Sequence, residues 1–522
     1  MDEIENKQQL AQRFGIKQIE DLFSYPFVQN KIRVIPYGFA RSKLALPLDQ
    51  QGKELLVAVS DPADLEVLKE MRFMTGLSIK EVYAPAYLLE EAIERCYHQT
   101  EKEASEYFQG LEKDIHASND FEEENEYDLL DQKSQSPVIR MLNVILLEAI
   151  QQGSSDIHFE PLEETLAVRY RIDGVLQKRH NPPKEYQNQL LTRIKVMAKM
   201  DIAEHRLPQD GRIKLRMGGR QIDFRVSTVP VAHGERIVLR ILDKSNVILG
   251  LDKIGMPKEV LRVFRKLIRQ SQGIILVTGP TGSGKTTTLY SAISEINSSE
   301  VNIMTVEDPV EYKLPGMAQI GVNPKIDLTF AKGLRHILRQ DPDVIMIGEV
   351  RDKETAEIAI QSSLTGHLVL TTLHTNDAPS ALTRLVDMGI ESYLLSSSVI
   401  GILAQRLVRK ICPKCRVSYR AGKQEVEDLF PANEEEEVIL YKGKGCAECF
   451  NSGYKGRHGI YELLLVTTSI KEQLSRSADA SMLQRAANNL GMRTLRDEGA
   501  ALVKQGITTS AEVLRVTRSI EI

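Results

Sequence analysis

The chain of 522 residues is 42% hydrophobic and 27% charged, the composition of an ordinary soluble globular protein with several domains. Its net charge of −5 is unevenly placed, since residues 101–133 hold 12 Asp and Glu against 3 Lys and Arg and leave +4 for the rest. The N-terminus MDEIENKQQL lacks a basic segment followed by an apolar one, and no run of about 18 apolar residues occurs, so a secretory signal and a membrane span are not expected and the chain reads as cytoplasmic.

Residues 1–100 come first. From Ile32 to Tyr97, strand-like and helical patterns alternate as KLALPLD, ELLVAVSD and DLEVLKEMRFMTG, which predicts a small α/β domain without a chemical constellation. Partner binding is its expected role, with a folding appendage as the plain alternative. Cys96, in a helical run, reads as a small buried hydrophobe. Residues 101–135, centred on DFEEENEYD from Asp120 to Asp128, read as a solvated acidic linker.

After the linker, SPVIRMLNVILLEAIQQG from Ser136 to Gly153 has apolar residues at helical spacing and stops at a glycine. The period then changes to two. TLAVRYRIDGVLQKR alternates around Asp173-Gly174, a hairpin signal, and QIDFRVSTVP and RIVLRILD add strands, so residues 136–245 are expected to form a second α/β domain built on a sheet.

A third domain is expected over 246–405. Buried strands at 274–278, 302–306, 344–348 and 368–373 alternate with helical stretches, the pattern of a doubly wound, mainly parallel sheet that binds its ligand at the carboxyl ends of the strands. The segment GPTGSGKT lies between the apolar run GIILVT and the helical TTTLYSAISEI, the context a phosphate-binding loop needs. Gly279, Gly282 and Gly284 let the backbone turn its N–H groups toward phosphate, and Pro280, Thr281 and Ser283 complete the turn. Lys285 is expected to reach the β- and γ-phosphates of ATP and Thr286 to ligate Mg²⁺, with Thr287 next in the helix.

Three further strands end in groups suited to that ligand. NIMTVEDPVEY delivers Glu307, Asp308 and Glu311, and Glu307, first after the buried run, is taken as the base or water-orienting group. DVIMIGEVRD ends at Gly348-Glu349, where many P-loop enzymes place an aspartate for the metal. HLVLTTLHTND puts His374 just past an apolar run, where it serves either as a donor to a phosphate oxygen or as a structural histidine.

Cys412, Cys415, Cys446 and Cys449 form two C-x-x-C pairs separated by 30 residues. In a reducing compartment such pairs point to a closed tetrahedral Zn²⁺ site, a redox dithiol being the alternative. A module over 406–456 and a helical region over 457–522 complete the expected order.

Together GPTGSGKT, VEDPVE, LRQDPDVIMIGEVRD and TGHLVLTTLHTNDA resemble the Walker A, Asp-box, Walker B and His-box segments of the secretion-superfamily ATPases, and among them the type II secretion ATPases. The resemblance covers Ser136 to Ile522. It implies a PAS-like α/β domain ahead of a RecA-like P-loop domain, a homohexamer, and arginine fingers from the first of these domains. By motif the fingers fall on Arg225 in DFRVST and Arg240 in RIVLR, with Arg206 and Arg212 in RLPQDGR as weaker candidates; pairing with carboxylates on a sheet face is the alternative. The resemblance extends to the tetracysteine insertion, which type II secretion and many pilus-assembly ATPases carry and pilus-retraction ATPases generally lack, so the cysteines argue for assembly or secretion over retraction. The implied function is pseudopilus assembly powered through an inner-membrane platform partner, with type IV pilus extension as the alternative. A nucleic-acid motor is disfavoured because the chain has no Trp and only modest positive charge outside the linker.

Overall fold

The computed structural model describes residues 43–97 except 53, 136–217, 220–243, 250–430 and 438–517, together with Tyr127, Asp128 and scattered positions before 43. Nearly all of the expected acidic linker, and the side chain of Cys96, lie outside the described residues. The chain divides into two compact units, Met1–Ser245 and Asn246–Ile522. No helix among the described residues is long and apolar enough to cross a membrane.

The first unit contains two sheets. The smaller has the order β1 (Ala45–Gln51), β2 (Glu54–Val59), β3 (Ser78–Tyr83), with β2 and β3 parallel as the helix Leu65–Thr75 between them requires. That helix is capped by the Asp64 carboxylate, which accepts from the amides of Glu66 and Val67. The larger sheet takes in β4 (Tyr127–Asp128), β5 (Ser154–Pro161), β6 (Leu166–Ile172), β7 (Val175–His180), β8 (Gln209–Met217), β9 (Arg220–Val231) and β10 (Gly234–Asp243), in the order β4-β8-β9-β10-β5-β6-β7. Asp173 and Gly174 both have positive φ, 48° and 83°, as a two-residue hairpin turn demands, and Ile172 pairs with Val175. The helix Pro137–Gln151 buries Met141, Leu142, Ile145, Leu146 and Ala149, one stripe at helical spacing, in a core shared with Phe159, Val168 and Phe224 of the sheet.

The second unit is built on one seven-stranded sheet. Its strands are β11 (Gly273–Thr278), β12 (Ile303–Glu307), β13 (Ala318–Gly321), β14 (Val344–Ile347), β15 (Leu368–Leu373), β16 (Val399–Ile411) and β19 (Tyr454–Leu465), in the order β13-β12-β14-β15-β11-β16-β19. Every pair is parallel except β16 with β19. Alternate residues of β11 enter different cores, Ile274 and Leu276 one and Ile275 and Val277 the other, so the sheet is covered on both faces.

Two expected boundaries differ from this architecture. The limit at 405/406 falls inside β16, and 457–465 is strand β19, with helices starting only at Thr468–Arg476. Local pattern marks neither strand as part of the main sheet, because β19 joins it only by pairing with β16 across the cysteine-bearing insertion and β16 by pairing with β11, more than a hundred residues earlier. That insertion carries β17 (Arg416–Arg420) paired with β18 (Ile439–Gly443).

The C-terminal helices fold back on β16. The Ile411 amide donates to the Ile507 carbonyl at 2.8 Å, and Thr508 Oγ1 to the Arg409 carbonyl at 2.8 Å. Glu512, with a side chain 1% exposed, accepts from Arg409 at 2.9 Å and from Arg515 at 2.7 Å. Burial alone would raise this carboxyl, but the hydrogen bonds from Arg515 and Arg409 hold its pKa at about 2, against an ordinary 4.5. A depressed folded-state pKa gives stability that is complete above the ordinary value and lost as pH falls from about 4.5 toward about 2. We expect Glu512→Gln to remove roughly 2–3 kcal/mol at neutral pH and to flatten the acid dependence in that window. The check is the urea midpoint of the C-terminal unit across pH, and an unchanged profile in the variant would contradict it.

Candidate active site

The loop after β11 is shaped by close approach of backbone to backbone. Gly279, Gly282 and Gly284 have φ of 151°, 78° and 88°. A Cβ on Gly279 would stand 2.5 Å from the Gln405 carbonyl, and one on Gly284 2.8 Å from Gln405 Nε2, whereas Gly282 has nothing within 4 Å and marks the open side of the loop. Pro280 and Thr281 are exposed on that side. Ser283 Oγ is buried without a hydrogen-bond partner, beside the first turn of the helix Lys285–Ile296. A glycine cradle, an orphaned hydroxyl and a helix N-terminus together suit a phosphate group.

Lys285 is 9% exposed and donates from Nζ to the Gly279 and Pro280 carbonyls at 2.8 and 3.2 Å. Burial pushes its pKa down to about 8, with nearby Arg406 acting in the same direction and Glu349 opposing them. Thr286 and Thr287 are exposed, while Thr288 turns inward and donates to Gln405 Oε1 at 2.7 Å.

Because β11, β12, β14 and β15 are parallel, their carboxyl ends share one edge. At that edge the structure brings Glu349 and His374 into contact, Oε2 to Nε2 at 3.1 Å, and Glu349 also pairs with Arg351. Burial would raise the Glu349 carboxyl; Arg351 and His374 outweigh it and keep the group below its ordinary range, hence anionic. Arg351 also pairs with Asp308 at 3.3 Å. Glu307 differs, being 3% exposed and accepting on Oε1 from Thr305 Oγ1 at 2.6 Å and Gln319 Nε2 at 3.0 Å and on Oε2 from Tyr290 Oη alone, which leaves Oε2 acceptor capacity.

In the first unit, register rather than sequence spacing assembles the arginines. Arg212, Arg225 and Arg240 are direct cross-strand partners on β8, β9 and β10, followed by Asp156 on β5 and Arg171 on β6. Directly paired residues lie on the same face of a sheet. Arg240 donates from Nε to Asp156 Oδ1 at 3.0 Å. Arg206 projects at 89% exposure and is held by Glu204 at 3.2 Å.

The four cysteines also converge. Their sulfurs all lie within 4.8 Å of one another, with Cys412–Cys446 and Cys415–Cys449 at 3.8 Å and Cys446–Cys449 at 3.7 Å. Four thiolates at about 2.3 Å from a tetrahedral Zn²⁺ stand about 3.8 Å apart, so this donor set fits that ion. Cys449 Sγ further accepts from the amides of Cys446 and Gly453 at 3.2 and 3.3 Å, orienting it as a thiolate ligand.

Sequence reasoning missed Gln405 and Arg406, a polar pair buried at 2% and 7% in the otherwise apolar run VIGILAQRLV. Two consecutive polar residues inside a buried strand were the available signal. It also missed Tyr290 and Arg351, for which helix and loop context gave none.

Comparison with known proteins places this geometry. A family described as Type II/IV secretion system protein matches residues 131–515, and an MshEN domain matches 14–103. The Type II secretion system ATPase E of Vibrio cholerae is 47% identical over 500 residues, covering 94% of this chain and 98% of that protein. The Type IV pilus assembly ATPase PilB of Myxococcus xanthus is 42% identical over 508 residues, covering 97% and 89%. The ATPase DotB of Legionella pneumophila shares the fold, with a TM-score of 0.53 at 21% identity over 75% of this chain and 99% of that one. With a phosphate-loop sheet edge, a tetracysteine cluster and relatedness along nearly its whole length, the chain belongs to the type II/IV secretion system protein family.

Proposed function

We propose that this chain is a Mg²⁺-dependent ATPase that works as a homohexamer on the cytoplasmic side of the inner membrane and powers pseudopilus assembly and export by a type II secretion system. The observation that carries this is 47% identity, over 94% of the chain, to a protein named Type II secretion system ATPase E. The match of residues 14–103 to an MshEN domain supports a separate partner-binding role for the N-terminal region, through which an inner-membrane platform protein would be engaged. Type IV pilus assembly is the second reading, favoured by the 42% identity to a pilus assembly ATPase over 97% of the chain. Recovery of the membrane partner with residues 1–100 as bait separates the two.

In this reading Gly279 to Thr287 bind the triphosphate, with Lys285 as the point charge on the β- and γ-phosphates. The exposed Thr286 hydroxyl and the anionic Glu349 carboxylate are the groups suited to Mg²⁺, which when bound offsets charge on the transferred phosphoryl. Glu307 orients the attacking water, and His374, on Glu349, donates to a phosphate oxygen. Arg225 and Arg240 act as arginine fingers, because a guanidinium stabilises the charge that develops on the phosphoryl in transfer.

Lys285→Ala is expected to lower turnover by roughly 10²-fold or more and to weaken ATP binding; wild-type turnover would contradict the assignment. Glu307→Gln and Glu349→Gln should lose hydrolysis and keep nucleotide affinity, and a variant that no longer binds ATP has been given the wrong role. Arg225→Ala and Arg240→Ala should bind ATP yet hydrolyse it roughly 10³-fold more slowly, with Arg206→Ala as the comparison. Elemental analysis should find about one zinc per chain. Cys412→Ser or Cys446→Ser should open the insertion to protease while ATP affinity persists, and zinc-free protein with a protease-resistant insertion would refute a metal there.

A further inference from the structure

Arg406 has no part in the mechanism above, and its surroundings are unusual for a buried cation. It is 7% exposed on β16, and among the described residues no carboxylate lies within 4.0 Å of its guanidinium. Its hydrogen bonds go to neutral oxygens: Nη1 to the Gln405 carbonyl at 3.2 Å, and Nη2 to the Asn376 carbonyl at 2.8 Å and to Asn376 Oδ1 at 3.1 Å. Burial pushes its pKa below the usual arginine range, with Asp377 and Glu462 opposing from a distance. For stability alone an apolar side chain of similar volume would serve the site better. What guanidinium offers here is a rigid fork that two separate segments of backbone can share.

Those segments are β16 at Gln405, which underlies the phosphate loop, and the loop after β15 at Asn376. Gln405 packs its carbonyl against Gly279, whose added Cβ would come within 3.1 Å of Arg406 Nη1, so the guanidinium rests on the first turn of the phosphate loop. Asn376 lies two residues after His374, in the loop that leaves β15. The same loop is fastened at two more points: the Thr375 amide donates to Thr278 Oγ1 at 2.9 Å, and the Ala378 amide to Glu462 Oε1 at 2.8 Å.

We propose that Arg406 is a positioning residue that clamps the loop Thr375–Ala378 to the phosphate loop and so holds His374 in register with Lys285. This rests on the ATPase reading for its effect on turnover, though not for the clamp itself. A charge at this place is insufficient on this account, since lysine cannot bridge two segments with a planar fork.

The test uses the full chain and ATP with Mg²⁺. Arg406→Lys and Arg406→Gln should lower kcat roughly 10- to 100-fold, the scale of a small misplacement of a catalytic group, while the Kd for ATP changes by less than about threefold. In a His374→Ala background the further loss from Arg406→Lys should largely vanish, because residues acting as one unit are not additive. A wild-type kcat in Arg406→Lys, additive losses with His374→Ala, or a loss confined to ATP affinity would each overturn the proposal. Amide hydrogen exchange gives a readout that does not need turnover: in Arg406→Lys the amides of Thr375 and Ala378 should exchange faster while those of β11 do not. Unchanged exchange at these amides refutes the clamp even if the chain hydrolyses no ATP, whereas faster exchange in a chain without turnover refutes the ATPase reading and keeps the clamp.

Discussion

Everything at the carboxyl edge of the second unit's seven-stranded sheet depends on how closely Gly279 approaches Gln405. With only 2.5 Å between the carbonyl of Gln405 and the place a Cβ would occupy, no other residue fits without moving the loop off its strand. This approach fixes the start of the helix Lys285–Ile296, and with it the height of Lys285 above the sheet. It also makes β16, a strand outside the four phosphate-associated motifs, the floor of the loop. Gln405 answers on both sides, its carbonyl beside Gly279 and its amide oxygen taking the hydroxyl of Thr288.

From that floor the same strand reaches the rest of the unit. β16 pairs with β11 on one edge and β19 on the other, and Arg409, three residues past Arg406, anchors the buried Glu512 of the last helix. β19 in turn supplies Glu462, 2% exposed, whose two oxygens accept the amides of Ala378 and Leu495 at the starts of two helices. Burial raises this carboxyl to about 7 although both amides favour its charged form. The C-terminal helices are therefore fastened to the strands beside the phosphate loop, and the cysteine cluster lies in the insertion between those strands, where closing a metal site shortens the excursion the chain makes from β16 to β19.

How much of this was legible beforehand follows from the range of the interactions. β11, β12, β14 and β15 could be read because each is a buried run next to a chemically marked loop, and the hairpin at Asp173-Gly174 because its signal is local. The glycine-rich turn between β11 and its helix, and the convergence of the cysteine pairs, were legible for the same reason: their pattern is written within a few residues. β16 and β19 were misjudged at their boundaries because their pairing spans the insertion, which no local period records. Contact between Glu349 and His374 was foreseeable only as a shared edge, since the contact depends on side-chain direction. Arg406 was marked only as half of a polar pair in a buried strand, and its role was hidden because its partners, Asn376 and its own neighbour's carbonyl, are backbone and amide groups that leave no pattern in charge.

The row of arginines in the first unit bears on function through its cost. Like charges placed directly opposite one another on neighbouring strands destabilise a sheet, and Arg212, Arg225 and Arg240 stand side by side in this way. Asp156 relieves the far end, taking Arg240 on one oxygen and approaching Arg171 with the other at 3.5 Å. Within this row one carboxylate stands among four arginines, while Asp210 on β8 and Asp223 on β9 lie two residues away on the same face. A sheet selected only for stability would alternate charge here, as the pairing of Arg169 and Arg236 with Glu160 does a few residues along the same strands. A row of like charges costs stability, and an anionic ligand would offset that cost. That crowding of like charge, independent of any family resemblance, singles out Arg225 and Arg240 for substitution ahead of Arg206, which stands outside the row and is held by Glu204.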